Sequence, residues 1–410
     1  MHDLAKSTPR KQTKPEYGSR RAVILNLTLV CALLLLNGCT HRTTIKSTNH
    51  VPLQQQTTLI PENQLLDVGV VTFDPGLEQI DEDDAVLPEV RNAESYYLAN
   101  QVRSAIQDSA AWGAVRVLPS IKPVTDVYVE GTILESTGET LSLAIVVSDT
   151  STQVWYKKVY SIKASKYAYQ RRKSLQRDPF SGLFNQIAND LLQYRQTLEG
   201  ETAVGLRTIS ALRFARDFSP ESFDQHITQN RKGVLKVSRL PAHNDPVLAR
   251  IEKIKTRDNL YIDTMQEYYD NFSLRMEEPY QVWRGESYDE VIAARELKRQ
   301  GMQRIAGGIA AVVIGIAAAG SSDGSARMAG ATAVGSGGLL IQSGIGKRAE
   351  AQMHVEALAE LGQSLEAELE PQVIDLEDRT ITLTGNVESQ YQQWRDILQS
   401  IYRAENGSPQ

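Results

Sequence analysis

Three stretches between Val127 and Ile162 alternate apolar and polar residues with a period of two, and this alternation narrows the fold more than any other feature of the chain. Val127, Val129 and Ile133 form the first stretch. Leu141, Leu143, Ile145 and Val147 form the second, and Val154, Tyr156, Tyr160 and Ile162 the third. Successive side chains of a strand point to opposite faces, so each stretch predicts a strand with one buried face. The separators Ser136-Thr137-Gly138-Glu139 and Asp149-Thr150-Ser151-Thr152 are short and turn-forming. Strands joined so tightly pair antiparallel, which gives a meander over a single core.

The flanking residues extend this into a domain over 65–198. Asp67 to Phe73 is a short apolar run with β-branched residues and predicts a buried strand. From Ala93 to Ala110, Tyr97, Val102, Ala105 and Ile106 share a helical face. Val115 to Leu118 is a strand stopped by Pro119, and a helix from about Phe180 to Leu198 closes the unit. The elements that carry this order are Val68 to Phe73, the helix near Ala99, and Asp126 to Gly131 followed by Ser148-Asp149. The order resembles the periplasmic α/β domains of the curli-secretion lipoprotein, the amino-terminal domain of TolB and the penicillin-binding-protein activator lipoproteins. That resemblance implies a domain that binds or assembles and does no chemistry. An unrelated α+β sandwich would show the same order of elements.

Ahead of this domain, Arg20 and Arg21 precede an apolar run from Ala22 to Leu36 that ends in Leu36-Asn37-Gly38-Cys39. A basic start, a short apolar core and a small residue before the cut are the marks of a secretory signal. The core is 15 residues long, short of the roughly 20 needed for a spanning helix. The segment resembles the lipobox of bacterial lipoproteins, in which cleavage falls between Gly38 and Cys39 and Cys39 carries the lipid. Leu36, Gly38 and Cys39 fit that pattern, and Asn37 departs from the usual choice. An ordinary signal peptide or anchor that contains a cysteine is the alternative. By the same resemblance, Thr40 in place of Asp implies sorting to the outer membrane, on its periplasmic face. The stretch before Arg20 is long for a leader, which puts the expected start downstream of Met1. Residues 39–64, rich in Thr, Gln, Asn and Ser, are expected to be a tether.

Without residues 1–38 the chain has 38 basic and 48 acidic residues, a formal charge of −10. An acidic chain without a basic block is a poor nucleic-acid binder. Its two cysteines are Cys31, inside the leader, and Cys39, so no thiol remains for a disulfide or a zinc–sulfur site.

Residues 199–285 read as mainly helical and rich in aromatic residues. Ser219-Pro220-Glu221 and Asn244-Asp245-Pro246 are helix starts. The second opens a long helix with Leu248, Ile251, Ile254, Ile262, Met265, Tyr269, Phe272 and Met276 on one side. Residues 286–370 read as a helical hairpin with a charged stalk and an apolar tip at 305–345. In the first arm Gly307, Ala311, Gly315 and Ala319 recur every four residues, and in the second Gly330, Gly337 and Gly344 recur every seven. Glycine in a helix interior costs about 1 kcal/mol relative to alanine, so such a run needs close packing to offset it. The region resembles the glycine-zipper segments of bacterial envelope proteins, which implies insertion in a membrane and self-association. A soluble hairpin packed inside an oligomer, or one that dips into a bilayer without crossing, fits the same spacing. Residues 371–410 read as a β-hairpin and a helix; Thr380 to Val387 resembles the central hairpin of BON domains.

Candidate chemistry is sparse. His41, His50, His226, His243 and His354 lack metal-ligand spacing. Gly335-Ser336-Gly337-Gly338 and Gly344-Ile345-Gly346-Lys347 follow no strand and are better read as packing than as phosphate loops. Asp81 to Asp84 lacks the glycine of a calcium loop, and Arg171-Arg172-Lys173 with Arg177 is a small basic patch. No cofactor, metal or catalytic residue is expected. The chain is expected to be an α+β, lipid-anchored, non-enzymatic scaffold or export-complex component, a homo-oligomer with a periplasmic protein partner. A periplasmic regulator of a wall-synthesis enzyme and an envelope hydrolase are the rival readings.

Overall fold

Parallel and antiparallel pairings meet in one central sheet. β2 (Val68–Val71) runs parallel to both β3 (Val115–Leu118) and β4 (Val127–Ser136). β4, β5 (Thr140–Asp149) and β6 (Val154–Lys163) follow as the expected antiparallel meander. β1 (His41–Lys46) adds beside β6, which gives the order β1-β6-β5-β4-β2-β3. Helix α1 (Pro88–Asp108) is the crossover that a parallel β2–β3 pair requires. The computed structural model describes residues 41–46, 51–79, 88–165, 167–169, 178–318, 360, 372–376, 379–384 and 386–405. By its contacts the chain divides into Met1–His41 and Arg42–Gln410, and the elements described here belong to the second unit, with β1 starting at the junction.

The period-two reading places the core of the meander correctly on β5. Leu141, Leu143, Ile145 and Val147 are all at most 1% exposed. On β6 the phase breaks once. The pairing passes from Val147↔Tyr156 to Ser148↔Val154, a bulge that turns Trp155 into the core and leaves Val154 46% exposed. Val154 was expected inside. The Trp155 Nε1–H donates to Asp149 Oδ2 at 2.8 Å, which holds the bulge in place.

The described residues of the expected tether, 41–46 and 51–64, differ from it. Residues 41–46 are the strand β1, with Ile45 turned into the core. Residues 51–64 lie along α2 (Ser181–Thr197). Asn189 accepts from the Gln54 N–H at 2.7 Å and donates to the Pro52 carbonyl at 2.9 Å. Asn185 donates to the Val51 carbonyl at 2.9 Å, and Arg195 to that of Gln64 at 2.8 Å. Polar composition describes side chains, whereas this segment is held by its backbone.

Helix α3 (Gly200–Phe218) and a small hairpin of β7 (Ile227–Gln229) and β8 (Leu235–Val237) lead to α4 (Pro246–Ala318). The 73 residues of α4 rise about 110 Å. Its start is the predicted one: Asp245 Oδ1 accepts from the Val247 and Leu248 N–H groups at 2.9 and 3.1 Å, and Pro246 takes the first helical position. Ile251, Ile254, Ile262, Met265, Tyr269, Phe272 and Met276 are buried on one side, and Leu248 is half-buried. The expected boundary between 285 and 286 is no break, because α4 passes through it and contains Pro279. β9 (Gln372–Leu376) and β10 (Arg379–Leu383) pair antiparallel, and α5 (Val387–Glu405) packs on α4.

Gly307, Ala311 and Gly315 lie in the last turns of α4. Ala319, Gly330, Gly337, Gly344, the second arm of the expected hairpin, and Gly38 and Cys39 lie outside the described residues. Among the described residues, no helix is long and apolar enough to cross a membrane.

The Asn189→Ala variant removes both side-chain bonds to the 51–64 segment. Expected is a loss of about 1–3 kcal/mol in urea unfolding, together with faster proteolysis between 51 and 64.

Candidate functional site: the seam between the long helix and the α/β body

Helix α4 meets the rest of the body along a seam of buried polar and aromatic groups, in three stations. At the first, near its base, Asp258 is 2% exposed and faces α5. It accepts from the Tyr391 hydroxyl at 3.3 Å and from Arg395 at 3.5 Å. Arg395 also pairs with Asp217 at 3.6 Å, and its guanidinium lies 4.9 and 4.8 Å from the Phe214 and Phe218 ring centres of α3. Trp394 stacks on Tyr261 with centroids 5.1 Å apart. Burial outweighs Arg395 and pushes the Asp258 carboxyl up to about 6.

At the second station α4 closes the open edge of the sheet. The Val117 N–H of β3 donates to Gln266 Oε1 at 2.7 Å, and Arg116 reaches Asp263 with two bonds of 2.5 and 3.0 Å. The edge of β3 is thereby covered by a helix rather than left as a template for another strand. Asn100 of α1 donates to Ser273 at 2.8 Å and to Asp270 at 3.1 Å, and Arg103 pairs with Asp270.

The third station is the most deeply buried. The Tyr280 hydroxyl donates to Glu94 Oε1 at 2.6 Å and Ser136 donates to the same oxygen at 2.5 Å, while Arg91 lies 3.6 Å from the other. Burial raises the Glu94 carboxyl above its ordinary range, against the pull of Arg91 and the two hydroxyls. Tyr97 sits edge-on to Tyr280 at 5.0 Å. One helical turn further on, Arg284 is fully buried. Its guanidinium lies 4.2 Å from the Tyr280 ring centre and 4.7 Å from that of Phe180, and it bonds Asp178 at 2.7 Å. Here the β4–β5 turn touches the helix backbone itself. A Cβ on Gly138 would stand 2.0 Å from the Arg284 carbonyl oxygen and 2.2 Å from the Tyr288 nitrogen. The Gly138 N–H donates to Ser287 at 3.2 Å, and Arg295 closes the seam on Glu139.

Chemically, this arrangement holds a helix. The acids of the seam accept from groups on facing elements, and among the described residues no cluster of His, Cys, Asp and Glu is placed to hold a metal ion. Two clefts lie near the seam, the smaller one within it. One of about 400 Å³ opens between Lys122 and the Asn386–Asp396 face of α5, and one of about 20 Å³, room for a single water, lies between Asp126, Arg116 and Asn259. Asp126 and Asp149, which carry part of the resemblance drawn from the sequence, both brace backbone: Asp126 accepts the Asp67 N–H at 2.9 Å and Asp149 that of Ser151 at 2.8 Å. Sequence reasoning found the apolar stripe of α4 and missed the polar seam. Its pairs lie far apart, 186 residues for Glu94 and Tyr280, so no local pattern records them. No protein-family model, curated protein or solved structure matches the chain.

Two outcomes follow from the geometry. In Gly138→Val, amide exchange across 280–295 should rise sharply while the sheet stays protected, because the new side chain meets backbone and the helix must move off. Asp258 gives a pH dependence. Its folded value, about 6, lies above the ordinary 3.8. The folded state therefore gains stability as pH falls through 6, and the gain is complete below 3.8. Between pH 7.5 and 5 this contributes roughly 1 kcal/mol, and Asp258→Asn should flatten the urea-measured stability by that amount.

Proposed function

We propose that the protein is a lipid-anchored outer-membrane scaffold on the periplasmic face, a component of an assembly or export complex that self-associates through a glycine-zipper hairpin. The observation that carries this reading is the form of α4. It is clamped to the α/β body from Asp258 to Arg295 and continues as helix to Ala318. The 23 residues beyond Arg295 add about 35 Å and end in the apolar Ile305 to Ala318.

The position of α5 supports a hairpin. By Tyr391 and Trp394 the chain is back beside Asp258 and Tyr261. The 58 residues of α4 from Tyr261 to Ala318 rise about 85 Å. The chain between Ala318 and Val387 returns over that distance, as the proposed hairpin requires. Gly307, Ala311 and Gly315 then offer a small-residue face to Gly330, Gly337 and Gly344 or to another copy. The described apolar length, Ile305 to Ala318, rises about 21 Å, less than a bilayer core of about 30 Å. A single hairpin encloses no pore, so an export role requires an oligomer. Cys39 would hold the whole at the membrane, and the α/β body would present the surface for a protein partner.

The test is the mass of the purified chain in mild detergent, with and without residues 305–345. A discrete large assembly that falls to monomer on deletion supports the scaffold. A monomer in both forms overturns self-association and favours the regulator of wall synthesis. Cys39→Ala should leave an unlipidated precursor; persistent lipid labelling would refute the anchor.

A further inference from the structure

The free edge of the sheet carries positive charge that the seam does not use. On β1, Ile45 turns into the core while Arg42, Thr44 and Lys46 are exposed on the opposite face. On the neighbouring β6, Lys157 is exposed on that same outer face, and Lys163, 53% exposed, leans on Glu139. Among the described residues, Arg42, Lys46 and Lys157 take part in no ion pair. The next strand, β5, turns Ser142, Ala144, Val146 and Ser148 to this face, none of them acidic, with Val146 directly opposite Lys157. The acids nearest this face are Glu139, in the β4–β5 turn and already paired with Lys163 and Arg295, and Glu130, on β4 beyond β5. This patch is positive in a chain whose residues 39–410 carry a formal charge of −10.

Its place in the chain gives the patch a partner. Cys39 precedes His41, the first residue of β1, by two positions, about 7 Å of backbone. With a lipid on Cys39, the start of β1 would lie about one screening length from the headgroups, where a negative surface attracts lysine and arginine.

We infer that the outer face of the β1–β6 edge docks on an anionic bilayer surface, its ligand being acidic phospholipid headgroups, so that the edge fixes how the body sits on the membrane. The lipid on Cys39 belongs to the proposed function, and the docking face rests on that reading for its proximity.

The experiment uses the full chain with Thr44→Cys, spin-labelled at position 44. Mass spectrometry of the Cys39 peptide comes first, so that a missing lipid is recorded as failure of the anchor alone. The labelled protein is placed in vesicles of phosphatidylcholine, with and without phosphatidylglycerol. Collision with oxygen, which partitions into lipid, is compared with collision with a water-soluble nickel chelate. Expected is a label at headgroup depth in the anionic vesicles and in water in the neutral ones, and a return to water when Arg42→Glu, Lys46→Glu and Lys157→Glu are combined. Vesicle sedimentation of the unlipidated Cys39→Ala chain should show binding to anionic vesicles weakened at least about tenfold by the same three substitutions. A label equally deep in both vesicles, or one that the three reversals leave in place, overturns the docking face. Equal sedimentation with neutral and anionic vesicles does the same.

Discussion

A guanidinium without access to water sits where the long helix crosses the α/β body, and the rest of the arrangement depends on how it is satisfied. An arginine buried alone would cost several kcal/mol. Arg284 is held by Asp178 and lies between the rings of Tyr280 and Phe180. Two of these three partners, Asp178 and Phe180, come from the segment that leads into α2. The ion pair and the stacked rings exist only when that segment and α4 are both in place. Against its burial, Asp178 first of all, with Tyr280 and Tyr169, holds Arg284 charged.

Polar contacts also do what an apolar stripe cannot. A stripe of Ile, Met and aromatic residues still finds apolar surface when the helix slides by one turn, about 5.4 Å. The seam does not tolerate that step. Glu94, Asn100, Arg116 and Glu139 face partners on α4 at four separate levels, Tyr280, Ser273, Asp263 and Arg295. A one-turn slip would leave buried groups unmatched at the Glu94 and Asn100 levels, each at a cost of about 1–3 kcal/mol, and would part the more exposed pairs at Asp263 and Arg295. Hydrophobic burial supplies the attraction, and the polar seam sets the register. Register in turn decides how much of α4 stands beyond Arg295.

The sequence was legible where the physics is local. Period two placed β4 and β5, the Asp245-Pro246 start placed the beginning of α4, and the stripe from Ile251 to Met276 marked its buried side. It misled where one residue changes the phase, as Trp155 does on β6, and where backbone rather than side chains holds a segment, as in 51–64. The charged residues from Glu286 onward suggested a division of α4 that tertiary contact overrides, because Arg284 and Arg295 anchor the helix on both sides of it. The seam was illegible for a different reason. Its acids and hydroxyls look like ordinary surface residues until the β4–β5 turn, from more than 140 positions away, closes over Tyr280 and Ser287.

The two edges of the sheet are solved differently, and the contrast bears on the charge of β1. An edge strand left bare invites another strand. At β3 the answer is a helix: Gln266 takes the Val117 N–H and Asp263 takes Arg116. At β1, among the described residues, the answer is charge. A charged edge of either sign would discourage strand addition equally well. In a chain with more acids than bases, that protective role alone does not account for Arg42, Lys46 and Lys157 sharing one face on which Glu139 is already paired with Lys163 and Arg295 and on which no strand before β4 carries an acid. Sign matters to a charged surface and not to a competing strand, so the sign of this edge says more about what lies against it than its charge alone does.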